Sequence, residues 1–304
     1  MYNKFLEYLL DNSPERCISK TGIMVRKTIG PVVRLVVPFT TPTKLEVVRR
    51  AKMPDAPVIF AATHGFKEDI EDTLLTAGRS AYILIGSLTQ IFRSFQGISA
   101  WAAGAVLVDR LDKGSRSASK QKLIRALNLG ASVIIFPEGT WNKSPNLMMN
   151  RLFPGVWDIA EATGAAVAPV ATHREGERVY SILGECFDIT EYPRGEGMLV
   201  LRDRLSTLRW ELMERYSCCR REDLPAGKEA EAYWKNYVNS LMAEVEFYDY
   251  QDELSTAYVD RSITEPQSVI HDLRKVTPGC ANAFLYDKRN SGGLGGAFTE
   301  KRTD

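Results

Sequence analysis

The chain has 304 residues, 44% hydrophobic and 25% charged, so it carries apolar material for a large core, and one large α/β domain with helical additions fits better than two equal domains. Lys and Arg number 39 against 38 Asp and Glu, a formal net charge of +1, which argues against nucleic acid as partner and leaves electrostatic targeting to local patches. The five cysteines (Cys17, Cys186, Cys218, Cys219, Cys280) form no C-x-x-C pair with metal-site spacing, which predicts a reduced protein on the cytoplasmic side of the membrane with no metal site.

In chain order, residues 1–14 carry Lys4, Glu7 and Asp11 and do not read as a secretory signal. Residues 16–44 hold Arg16, Lys20, Arg26, Lys27, Arg34 and Lys44 with no acidic residue, interleaved with apolar positions from Ile23 to Val37. Lys20, Lys27 and Arg34 recur every seven residues, which places them near one face of a helix with the apolar residues on the others. Such a segment, taken as residues 1–45, can lie peripherally on an anionic bilayer. The competing reading is a core-packing segment whose basic side chains snorkel, and Pro31 predicts a break in any single long helix. The longest uncharged run, residues 94–108, is too short to span a bilayer, which takes roughly 18 or more apolar residues.

From residue 46 to 262, β-branched runs alternate with helical stretches, the pattern of an α/β domain: a mixed or mostly parallel sheet flanked by helices. Strands are predicted at residues 57–63 (PVIFAAT), 81–85, 105–108, 132–136 (SVIIF) and 165–170. Helices are predicted at 67–77, with early acidic residues and Gly78 at its end, at 115–129 before Gly130, from Pro154 to Gly164, and at 199–216 and 229–247. Residues 263–304, with the glycine run SGGLGG, read as a loosely packed tail.

Four polar clusters follow or end apolar strands: THGFKED at 63–69, GAVLVDR at 104–110, FPEGTW at 136–141 and VAPV at 167–170. In open α/β sheets ligands bind in the crevice outside the carboxyl ends of the strands, so equivalent placement suggests one shared site. His64 and Asp69 are five residues apart and would diverge on one helix, but they meet if His64 lies in the turn and Asp69 in the first helical turn. The carboxylate then fixes the imidazole tautomer and leaves the other ring nitrogen to accept a proton from a hydroxyl. A lone histidine is more often structural, so the companions matter.

H-x-x-x-x-D followed in order by GAVLVDR, FPEGT and VAPV resembles the glycerophospholipid acyltransferase family, which includes the lysophosphatidic acid acyltransferases. The resemblance covers roughly residues 57–170. It implies an O-acyltransferase with His64 and Asp69 as catalytic dyad. Arg110, Glu138 and Gly139, with Thr140 beside them, would hold the phosphate-bearing acceptor; Glu138, which an anion would repel, is expected to meet acceptor hydroxyls or to orient Arg110. No cofactor is implied: acyl-CoA or acyl-ACP enters as substrate, and 1-acyl-glycerol-3-phosphate is the favoured acceptor, with glycerol 3-phosphate or another lysolipid as alternatives. Thr63 stands where Asn commonly precedes the histidine, and Trp141 where Arg or Ser commonly follows FPEGT. Two other classes compete: a metal-dependent phosphoesterase built on His64, Glu68, Asp69, Glu71, Asp72 and Glu138, and a non-enzymatic membrane adaptor.

Overall fold

A computed structural model describes residues 13–39, 41–86, 104–108, 112–142, 148–218 and scattered positions between 225 and 237. The stretch 263–304 and most of the helix expected at 229–247 lie outside these residues.

The apolar runs form a seven-stranded sheet in the order β1-β7-β6-β2-β5-β3-β4. The strands are β1 (Lys44–Arg50), β2 (Val58–Ala62), β3 (Ala81–Gly86), β4 (Ala105–Val108), β5 (Ser132–Ile135), β6 (Ala166–Glu175) and β7 (Arg178–Leu183). Five adjacent strands from β4 to β6 are mutually parallel; β7 turns back antiparallel on β6, and β1 runs parallel to β7 at the edge. The sheet is therefore mixed. The helices are α1 (Pro14–Cys17), α2 (Lys20–Val36), α3 (Asp69–Ala77), α4 (Lys113–Asn128), α5 (Gly155–Thr163) and α6 (Arg194–Tyr216).

The central strands are buried on both faces, as parallel sheets require, so their sequences read as continuous apolar runs. Every residue of β2 and β5 is buried. Alternation then divides them between two layers. Ile59 and Ala61 face a core built with Leu123, Val156 and Leu201 from α4, α5 and α6. Val58, Phe60 and Ala62 face Leu74 and Ala77 of α3. This double cover holds the carboxyl ends of β2 and β5 rigidly side by side, and the polar turns that follow them share one edge of the sheet.

Two edge elements differ from the sequence expectation. β1 begins at Lys44, inside the stretch assigned to the N-terminal segment, and its charged, half-exposed pattern KLEVVRR blunts an open edge as Lys-bearing edge strands do. β7 has no counterpart in the expected strands; it returns from β6 through a two-residue turn at Gly176 and Glu177.

The N-terminal helix is the larger correction. Pro31 does not break it: α2 runs continuously from Lys20 to Val36. Proline removes the hydrogen bond to the Lys27 carbonyl, but Lys27 and Pro31 both lie on exposed positions where water can serve that carbonyl. The face that meets the protein is mixed: Ile23 is buried and Val33 packs against the core. Arg26, Lys27, Gly30 and Arg34 line a crevice against Ser80, Ala81, Tyr82 and Ala131, at the starts of β3 and β5. The Arg26 guanidinium lies 5.0 Å from the Tyr82 ring centroid, and Arg34 reaches the Ser80 hydroxyl at 3.5 Å. Outward stand Met24 (68% exposed), Val25, Val32, Leu35 (69%) and Val36, followed by Phe39 (84%). Among the described residues no helix is long and apolar enough to cross a membrane.

Candidate active site

β2 delivers His64 to the turn beyond its carboxyl end, and Asp69 opens α3. The His64 Nδ1 lies 3.0 Å from each Asp69 carboxylate oxygen. Asp69 Oδ2 also accepts from the backbone N–H of Gly65 at 2.7 Å and of Phe66 at 3.2 Å. A fully buried carboxylate holding three donors ties the turn at residues 64–66 to the start of α3 and anchors the imidazole. It accepts from Nδ1–H, so the ring is the Nδ1–H tautomer and the Nε2 lone pair is the free base. The spacing of five residues meets the geometric demand through the turn, as anticipated. Phe136, at 4.5 Å between ring centroids, and Trp141, edge-on at 6.1 Å, restrain the imidazole plane.

The turn after β5 supports His64 from behind. Glu138 Oε1 accepts from the His64 N–H at 3.1 Å and Oε2 from the Asn150 N–H at 2.8 Å, while the Asn142 N–H donates to the His64 carbonyl at 2.7 Å. Glu138 is 1% exposed. Its two oxygens clamp the histidine turn to the segment at residue 150, and the expectation that it meets acceptor hydroxyls or orients Arg110 gives way to this inward role. Burial pushes its carboxyl above the usual range; the Arg209 guanidinium is the strongest opposing influence, followed by the two backbone donors. Gly139 has φ +68°, and a Cβ there would stand 2.6 Å from a Phe153 ring carbon, so both backbone and space demand glycine. Thr140 is buried beside it. Arg110 lies outside the described residues.

Thr63, the departure before the histidine, ties β2 to β6: its hydroxyl accepts from the Thr172 N–H at 3.0 Å and lies 3.1 Å from the Thr172 hydroxyl. Two arginines unremarked in the sequence flank the turn. Arg174, at the end of β6, pairs with Glu68 at 3.3 Å and lies 5.9 Å from the Phe66 ring centroid. Arg209, on α6, places its Nη2 3.9 Å from where a Cβ on Gly65 would sit. No local signal marks either, because each reaches the turn from a distant element.

Behind the dyad the acids of α3 crowd together. Burial, then repulsion from Asp69, pushes Asp72 up to about 7, and burial does the same for Glu71. Among the described residues no group of three His, Cys, Asp or Glu side chains gathers to hold a metal ion.

A buried carboxylate, the imidazole it orients, and a glycine-bearing turn at the carboxyl edge of an α/β sheet form an arrangement that can take a proton from a hydroxyl. Residues 43–173 match the Acyltransferase family model. It is 32% identical over 136 residues to a chloroplastic 1-acyl-sn-glycerol-3-phosphate acyltransferase of Arabidopsis thaliana, covering 44% of this chain and 36% of that one. It is 28% identical over 129 residues to a 1-acyl-sn-glycerol-3-phosphate acyltransferase of Chlamydomonas reinhardtii, covering 42% and 38%. The aligned part thus spans little more than a third of these relatives. The crystal structure of the 1-acyl-sn-glycerophosphate acyltransferase of Thermotoga maritima aligns with a TM-score of 0.47 at 19% identity, over 72% of this chain and 90% of that one.

Proposed function

We propose that this protein transfers a fatty acyl group from a thioester, acyl-CoA or acyl-ACP, to the free hydroxyl of a lysophospholipid, with 1-acyl-glycerol-3-phosphate as the first acceptor to test. The observation that carries this reading is the dyad: Nδ1 held by Asp69 and Nε2 left as base. His64 Nε2 takes the acceptor hydroxyl proton as the oxygen attacks the thioester carbonyl carbon. The tetrahedral intermediate then expels the thiolate, which recovers that proton from Nε2–H as the C–S bond breaks. Acyl transfer is complete with no nucleophilic Ser or Cys. The Gly65 and Phe66 N–H groups are spent on Asp69, so the oxyanion takes its donors elsewhere. Arg110 is assigned to the acceptor phosphate on the family resemblance.

The outward apolar face of α2, with Phe39 just beyond its end, supports peripheral membrane attachment by insertion of side chains into the interface. The test is one assay: purified protein, acyl-CoA or acyl-ACP, and a panel of lysophosphatidate, glycerol 3-phosphate, other lysophospholipids and an acceptor without phosphate. Transfer to lysophosphatidate above the rest supports the reading. Phosphate-independent transfer refutes the acceptor assignment, and absence of transfer refutes the activity.

A further inference from the structure

The segment at residues 148–150 is fastened to α6 by two arginines. Arg209 Nη1 donates to the Met148 carbonyl at 2.7 Å, and Arg202 Nη2 donates to the Met149 carbonyl at 3.2 Å. The next residue, Asn150, donates its N–H to Glu138, whose other oxygen receives the His64 N–H. A continuous chain of contacts therefore runs from α6 through the segment and the buried carboxylate to the backbone of the catalytic base. The two arginines differ in one respect. Arg209 is the cation whose field most favours ionised Glu138; Arg202 is not among the groups that act on it. Among the described residues the Arg209 Nε is buried without a hydrogen-bond partner, and its Nη2 lies beside Gly65, so its charge is directed into the turn.

We infer that Arg209 is a positioning residue for proton abstraction: from α6 it pins the Met148 carbonyl and offsets the buried charge of Glu138, and so holds the His64 backbone where the dyad works. The inference rests on the acyl-transfer reading for its catalytic consequence. Arg209 lies outside residues 43–173, the stretch matched by the family model.

The physical case is one of acceptor count. An ionised carboxylate offers lone pairs on both oxygens, one for His64 N–H and one for Asn150 N–H; a protonated carboxyl offers a weaker acceptor at its hydroxyl oxygen. Leaving a buried N–H without a good acceptor costs about 1–3 kcal/mol, enough to let the turn relax. Burial alone favours the protonated form, and Arg209 opposes it. The groups that act on Glu138 are Arg209 from α6, His64 from the turn and the Asn150 N–H. Asp69 stands behind His64, and His173, held below the usual histidine range by burial and then by Arg209, shares that cation.

The experiment compares pH–rate profiles and Tm of wild type, Arg209→Gln, Arg209→Lys, Arg202→Gln, Glu138→Gln and the Arg209→Gln/Glu138→Gln double variant. Arg209→Gln is expected to lower kcat with little change in acceptor KM, and to move the acid limb of kcat upward by roughly one pH unit or more, since an opposite charge is worth about that much. Arg209→Lys should restore part of the shift. Arg202→Gln, which loses a comparable carbonyl contact, should leave the limb in place. In the Glu138→Gln background the Arg209 substitution should shift nothing.

Stability supplies a readout independent of activity. Because the folded-state pKa of Glu138 is raised, its ionisation penalty grows as pH rises from the unfolded value through the folded one, and loss of Arg209 enlarges that penalty. The Tm deficit of Arg209→Gln should therefore be greater at about pH 8 than at about pH 5, and the difference should vanish with Glu138→Gln. A limb shift or pH-dependent deficit that persists without the Glu138 carboxyl traces to His64 or His173 and overturns the inference. So does an Arg209→Gln profile that coincides with the Arg202→Gln one. Wild-type protein without transfer overturns the functional reading instead, and the Tm comparison then judges the Arg209–Glu138 coupling by itself.

Discussion

Asp69 accepts three hydrogen bonds with two oxygens, and its place at the first residue of α3 lets one side chain brace the preceding turn and orient a base. The two roles separate by substitution. His64→Ala should lower transfer by about 10²–10⁴, the usual contribution of a general base, with the far-UV spectrum and Tm near wild type because the ring is only partly buried. Asp69→Asn should lower transfer comparably and also lower Tm, since the neutral amide weakens the bonds from Gly65 and Phe66. A folded His64→Ala protein with near-normal turnover excludes the dyad mechanism.

A further prediction concerns Asp72, which is 1% exposed, with both carboxylate oxygens buried and unpaired among the described residues. The groups that act on it are Asp69 and Glu71 on its own helix, Glu68 just before that helix and Arg174 from β6. Its folded pKa, pushed up to about 7, exceeds the unfolded value, so its ionisation destabilises the fold increasingly as pH rises toward 7 and levels off above it. Asp72→Asn should accordingly raise the unfolding free energy more at about pH 8 than at about pH 5, by a difference on the order of 2 kcal/mol, with Tm following. Equal gains at the two pH values rule out the carboxylate as the source.

At the scale of elements, what could be read in advance tracks how local the determinants are. β2, β5 and the helices ending at Gly78 and Gly164 were legible because unbroken apolar runs and left-handed terminal glycines are local signals. β1 and β7 were not, since an edge strand with four charged residues and its hairpin-bound neighbour owe their structure to pairing across more than a hundred residues. The contact between His64 and Asp69 was legible as a geometric possibility of their spacing across a turn. The inward turn of Glu138 and the reach of Arg209 from α6 were not, for a carboxylate carries no sequence mark of which way it faces.

α2 shows the same limit: its amphipathic character was visible, but the sequence left open which face met the protein. Docking of Arg26 and Arg34 on Tyr82 and Ser80 settles it, leaving the apolar side outward. Replacing Met24, Val32 and Leu35 together by Asn should therefore reduce co-sedimentation with vesicles far more than replacing Lys20, Lys27 and Arg34 by Gln, each removed apolar side chain being worth about 1 kcal/mol or more. The reverse order would show that the basic residues, not the apolar face, meet the lipid.

Across the whole molecule, the docked part of α2 crosses the starts of β3 and β5, whereas His64 stands beyond the carboxyl end of β2, parallel to both. The surface proposed to enter the bilayer and the base are thus separate features of one sheet-centred fold, and under the proposed function membrane attachment would act by concentrating the protein where a lysolipid resides rather than by altering the dyad. This separation makes a distinction at the level of kinetics. The Met24/Val32/Leu35→Asn protein should lose transfer to a lysolipid embedded in vesicles in proportion to its lost binding, while keeping near-wild-type kcat/KM on a short-chain acceptor dissolved in water. Because the inserted groups are apolar, raising salt from about 0.1 M to 1 M, which shortens the screening length from about 10 Å to 3 Å, should weaken wild-type vesicle binding only modestly. Parallel losses on the soluble and the embedded acceptor would instead place α2 in the architecture of the active site, and steep salt dependence would give the bilayer contact back to the lysines and arginines.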